Sequence, residues 1–219
     1  MLDKVNRVVK YLVLSDLLLF VGWGFVSPIF AVFVLENIAG ATLVTAGIAG
    51  GIYWFFRAIV QPFVAKVLDK TKGEKDDFFA LVGSLLAVGV ISFWLALVKT
   101  PEMLYLAQIF HGAALGVYSV AWPAIFTRHI DKGRVAFDWS LDNGSIGLAV
   151  AIASIVGAKV AEVLGFEMVF VLAGIGSIIS AVVLLAIPKL ILPQPKEDSD
   201  KVYKVRTHRK QKARSTVGP

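Results

Sequence analysis

The 219-residue chain is 57% apolar and 17% charged, with a mean hydropathy of +0.75. Soluble domains carry about 25% charged residues, so a soluble globular class is excluded, and repeated uncharged runs of the length that crosses a bilayer, about 20 residues, point to a polytopic membrane protein. There is no cysteine, which excludes disulfides and thiolate metal sites, and the net charge of +6 says nothing about nucleic acid until the basic residues are located.

Residues 1–10 form a short basic leader. The first apolar run, about 8–35, is too long for a signal-peptide core and shows no clear cleavage site, so it is expected to be a retained span. Asp16, Phe20, Trp23 and Ser27 are spaced to share one helical face, while Gly22, Gly24 and Pro28 loosen its second half. Span 2, about 43–68, carries a polar stripe of Tyr53, Arg57 and Gln61 at i, i+4 and i+8. Arg57 lies roughly 16 Å from the Leu68 end at 1.5 Å per residue, near the expected midplane. A charged hinge follows, with Lys66, Lys70, Lys72 and Lys75 among Asp69, Glu74, Asp76 and Asp77.

Span 3, about 78–98, is uncharged. Span 4, about 103–126, places Gln108, His111, Tyr118 and Trp122 on one face, with Pro123 near its end. A second basic loop holds Arg128, Lys132 and Arg134. Span 5, about 139–164, has Asp142 and Asn143 at its start and Lys159 and Glu162 near its finish, where a lysine can snorkel. Span 6, about 168–187, is again uncharged. Residues 193–219 turn from acidic to basic and cannot bury enough apolar area to fold alone, so a disordered basic tail is expected.

Six spans put both termini on one side. Lys and Arg near span ends favour the cytoplasm, and 19 of the 22 fall on that side in this threading. The expected localisation is therefore the plasma (inner) membrane with cytoplasmic termini. Ionisable side chains in spans normally face the bundle interior or a wet cavity. Spans 1, 2, 4 and 5 are accordingly expected to surround something polar, and spans 3 and 6, whose serines can bond their own helices, to face lipid. The pattern repeats in threes: Ser27–Pro28–Ile29–Phe30 parallels Trp122–Pro123–Ala124–Ile125–Phe126, spans 2 and 5 are each expected to hold one buried base, and spans 3 and 6 are plain. The expected fold is all-α, six transmembrane helices arranged as two inverted three-helix repeats.

The hinge reads Ala65, Asp69, Lys70, Gly73, Lys75, similar to the string G-x-x-x-D-R/K-x-G-R/K-R/K with alanine at the first glycine and Gly73 one place late. Asp131 and Arg134 look like an acid–arginine pair in the loop before span 5. Gly24–Phe25–Val26–Ser27–Pro28 and the run from Gly147 to Phe170 also fit one pattern. Together these strings resemble one half of a major facilitator superfamily transporter, over residues 8 to about 190. Gln108 and His111 stand where that family's span-4 motif has other polar residues, and the Gly-Pro of its antiporter-type span 5 is missing, which removes support for drug/proton antiport.

The resemblance implies a secondary transporter that moves a small solute by rocking two bundles around a midplane site. Six spans supply one bundle, so a homodimer is expected, with a split hetero-dimer or a non-transporting scaffold as rivals. The candidate substrate and coupling residues are Asp16, Trp23, Tyr53, Arg57, Gln61, Gln108, His111, Tyr118, Trp122 and Asn143. Arg57 would either bind an anionic substrate or pair with Asp16. Asp16 would carry a proton or cation, or simply meet water at the inner surface. His111 is either a proton carrier or a helix-to-helix hydrogen bonder, and the aromatic residues either line a cavity or pack. Asp69, Lys70, Gly73, Lys75, Asp131 and Arg134 form the candidate inner gate, unless the lysines merely set topology. Anionic lipid is the expected partner of the tail; with no interleaved aromatics beyond Tyr203, nucleic acid is not. No Walker loop, zinc spacing or catalytic triad is visible, so neither an enzyme nor a cofactor is expected.

Overall fold

Three of the six long apolar runs begin where a side chain caps the first turn. Asn6 accepts the Val8 N–H at 3.0 Å, Thr42 and Thr45 form a reciprocal capping box, and Thr100 accepts from Met103 ahead of Pro101 in the first turn. A computed structural model describes residues 5–70, 74–130 and 133–186, which form α1 (Arg7–Val26), α2 (Phe30–Asn37), α3 (Leu43–Leu68), α4 (Lys75–Ala96), α5 (Pro101–His129), α6 (Val135–Leu164) and α7 (Phe166–Leu185). All but α2 are long and apolar enough to cross a membrane. The expected all-α, six-span architecture is thus the observed one, while the tail and both chain ends lie outside the described residues.

Span 1 differs from the continuous helix expected. It breaks after Val26 and resumes as the short α2, because Pro28 supplies no N–H and its ring obstructs the preceding turn. Helices α6 and α7 are joined through Gly165 alone, at φ 87° and ψ 163°, a region closed to residues with a Cβ.

The six long helices form an open arc. Helix α3 packs on α5, α5 on α4, α4 on α7, α7 on α1 and α1 on α6, leaving α3 and α6 at its two ends. Small residues permit the close crossings, since packing rather than hydrophobicity drives helix association in lipid. A Cβ on Gly112 would lie 2.3 Å from the Tyr53 carbonyl oxygen, and one on Gly157 2.5 Å from Cα of Phe25. Gly89 and Gly174 approach one another in the same way between α4 and α7.

Burial within the chain differs sharply between the helices. Plain helices α4 and α7 are well buried in the arc, whereas α3 buries only Thr45, Ala49, Tyr53 and Leu68, and α6 only Asp138, Asp142, Ala153 and Gly157. Serines explain part of this. Ser84 and Ser92 bond their own helix as expected, but Ser177 donates to the Leu85 carbonyl and Ser180 to that of Ser15, each at 2.7 Å. Those bonds and the glycine contacts hold α7 against α4 and α1. Apolar side chains such as Phe55 and Phe63 on α3, or Leu148 and Ile155 on α6, are left uncovered.

Charged groups sit at the two ends of the bundle along the helix axes. At one, Arg128 pairs with the fully buried Asp77, His129 Nε2 lies 3.6 Å from Glu74 Oε2, and Asn6 donates to the His129 carbonyl at 3.0 Å. At the other, Lys99 bonds Glu167 at 2.8 Å.

Candidate functional site: an aromatic cavity around Arg57

The i, i+4 spacing of Tyr53 and Arg57 on α3 sets their side chains on one face, and the close α3–α5 crossing at Gly112 and Gly116 brings Ser119 beside them. Arg57 Nη1 donates to Tyr53 Oη at 3.0 Å. Its Nε and Nη2 both donate to Ser119 Oγ, at 3.1 and 2.8 Å, and that hydroxyl donates onward to the Leu115 carbonyl at 2.7 Å. The guanidinium also stacks over Trp54, 4.9 Å from the ring centroid. None of these partners is an acid.

Around this cation is a cavity of about 380 Å³ walled by α1, α2, α3, α4, α5 and α7. Trp23 and Tyr53 stack with ring centroids 5.6 Å apart and planes 20° from parallel. The His111 ring lies 5.4 Å from Tyr53 and 6.1 Å from Trp23. Gln108 and Tyr118 are buried and line the same space, and Gln108 Oε1 and Tyr118 Oη have no hydrogen-bond partner among the described residues. The described lining contains no aspartate or glutamate. Such a site, concave, largely apolar and fitted with a few converging polar groups, is what a small molecule needs.

Six of the ten residues singled out in the sequence, Trp23, Tyr53, Arg57, Gln108, His111 and Tyr118, therefore meet in one cavity. The other four do not line it. Gln61 is half-buried farther along α3. Trp122 is packed, its indole N–H aimed at the Leu12 carbonyl at 3.4 Å and its ring stacked on Phe126. Asn143 is exposed and bonds back to the Trp139 carbonyl. Asp16 has the Asp142 carboxyl beside it, so it is not the partner of Arg57 that the sequence allowed. Span 5 was also expected to wall the interior, but α6 contributes nothing to the cavity, while Ser92 of α4 and Phe170 of α7 do.

A family model described as Major Facilitator Superfamily matches residues 12–216. The chain belongs to the major facilitator superfamily. It is accordingly an integral membrane protein. Among solved structures, one titled as the in meso crystal structure of the POT family transporter PepTSo is similar over 89% of this chain, with a TM-score of 0.69 and 13% identity. The chain spans 40% of the length of that structure. At that identity the likeness speaks for the fold alone. Curated protein sequences yield no match.

The superfamily loop string falls partly outside the described residues, Gly73 and Asp131 among them. Asp69, Lys70 and Lys75 are exposed, and Arg134 lies over the Phe137 ring at 4.7 Å. The pairs seen at this end are instead Arg128–Asp77 and His129–Glu74. Burial pushes the Glu74 carboxyl above its ordinary value, while the neighbouring His129 and Arg128 charges pull it down.

Sequence reasoning missed Ser119, Asp77 and Asp142 as partners. Ser119 gave no signal because a serine in a span usually bonds its own helix, which it also does here. Asp142 was noticed, but its position opposite Asp16 depends on how α1 crosses α6.

Proposed function

We propose that this superfamily member is a secondary transporter that moves a small solute by rocking-bundle alternating access, working as a homodimer of six-helix bundles. The observation that carries the reading is the cavity around Arg57, set within the helices and opening on an arc whose end helices α3 and α6 are left bare. A second copy, related by an axis along the membrane normal, covers those faces and closes the site from the other side. The helix pairing also supports an inverted repeat: exchanging spans 1, 2 and 3 with spans 4, 5 and 6 maps the five contacts of the arc onto themselves.

The end bearing Glu74, Asp77, Arg128 and His129 faces the cytoplasm of the plasma membrane in this reading, as do both termini. Asp69, Lys70, Gly73, Lys75, Asp131 and Arg134, with the two ion pairs seen there, form the gate. The Asp16–Asp142 carboxyls, both buried and each with one oxygen unpartnered among the described residues, are the coupling site, since like charges so placed favour uptake of a proton or cation between them. The basic tail rests on anionic lipid.

The test is solute flux into liposomes containing the purified protein, with and without a proton gradient, alongside its mass-resolved oligomeric state. Flux from a dimer, reduced by Arg57→Gln, is the expected outcome. A flat response across a broad solute panel returns the protein to a scaffold role. The limited coverage of the solved relative favours a second reading, in which another chain supplies the remaining bundle; a foreign partner captured in native membrane replaces the homodimer with that split transporter.

A further inference from the structure

We infer that the ligand of the Arg57 cavity is a small organic monoanion with a flat apolar body, such as an aromatic carboxylate. The inference rests on the cavity being a ligand site, as proposed above, and adds the class of ligand. Arg57 offers five N–H donors. Three are used on the neutral hydroxyls of Tyr53 and Ser119, which leaves two, and no acid stands in the described lining to neutralise the cation. A guanidinium held among aromatic rings without a counter-charge carries a desolvation cost that an entering anion offsets. A single cation balances a single negative charge, which disfavours dianions such as phosphate.

The remaining walls select the body of the ligand. Phe20, Trp23, Phe30, Tyr53 and Trp54 make the lining rich in aromatic rings, against which a flat ring packs more favourably than a branched aliphatic chain. Gln108 and Tyr118 are more than nine-tenths buried. Tyr118 Oη, unpartnered among the described residues, can donate a further hydrogen bond to the anion, while the unpartnered Gln108 Oε1 can only accept and so tolerates a donor elsewhere on the ligand. A cationic ligand is excluded by Arg57, and a neutral one leaves its charge unanswered.

The experiment measures equilibrium binding by calorimetry to the full-length protein in lipid nanodiscs. The probes are phenylacetate, phenylacetamide, phenethylamine and acetate. Phenylacetate is expected to bind about 10- to 100-fold more tightly than its neutral amide, the range that charge-assisted hydrogen bonds confer. Acetate, lacking the ring, binds more weakly than phenylacetate, and phenethylamine weakest of all. Arg57→Gln brings phenylacetate down to the level of the amide, and retained amide binding shows the variant is folded; Arg57→Lys keeps part of the preference. Amide or amine binding as tight as phenylacetate overturns the inference, as does a preference that survives Arg57→Gln. No saturable phenylacetate binding up to about 10 mM, a concentration that already admits very weak complexes, overturns it too. Phenylacetate binding with no liposome flux would retain the anion site and remove transport; flux of a neutral or cationic solute without phenylacetate binding would do the reverse.

Discussion

Arg57 shows how one side chain can be placed by residues that carry no charge of their own. Its hydrogen bonds go to hydroxyls, and Ser119 receives two of them. Ser119→Ala leaves those donors facing apolar walls, and should cost about 1.5–3 kcal/mol, the usual scale for a hydrogen bond to a charged group. Thermal unfolding in nanodiscs checks this, with Tyr53→Phe as a milder comparison because only one bond is lost. Glu74 supports a second prediction. A carboxyl raised by burial holds its proton in the folded protein at pH values where the unfolded chain has released it. Its contribution to stability is therefore whole below the ordinary value of 4.5 and is lost as pH rises through the raised one. Glu74→Gln should match the parent in melting temperature on the acid side of that window and exceed it above, read from melts across about pH 4 to 7.

At the scale of helices, backbone proximity matters more than apolar matching. A valine at Gly112 meets the α3 backbone, not a movable side chain. Gly112→Val should therefore separate α3 from α5, lower stability by about 1–3 kcal/mol as overpacked sites do, and loosen the cavity, seen as earlier unfolding and weaker ligand binding together. Gly165→Ala tests the α6–α7 corner. Its backbone conformation is essentially restricted to glycine, so a loss of about 1–3 kcal/mol is expected without any change at Arg57.

For the whole molecule, the open arc makes a geometric prediction about assembly. The chain has no cysteine, so introduced ones report without background. Phe63→Cys on α3 and Ile155→Cys on α6 occupy exposed positions on the end helices, whereas Val90 and Ile179 are exposed on the packed helices α4 and α7. Cross-linked self-pairs through the first two positions, and none through Val90→Cys or Ile179→Cys, are expected in native membrane if copies meet across α3 and α6. Links confined to α4 and α7 would contradict that arrangement.

Much was legible without coordinates. Uncharged runs of bilayer length define six spans because lipid offers the backbone no hydrogen bonds, and a helix supplies its own. Helical periodicity likewise put Tyr53 with Arg57, and Gln108 with His111 and Tyr118, since these relations lie within single helices. Contacts between helices were a different matter. Whether Asp16 meets Arg57 or Asp142, and whether a plain helix faces lipid or its neighbours, depends on crossing points set by glycines such as Gly112 and Gly157 and by cross-helix serine bonds such as that of Ser177. Local pattern carries the polarity of each helix face; only the tertiary packing chose which face meets which, because in lipid that choice is made by close backbone fit rather than by hydrophobicity.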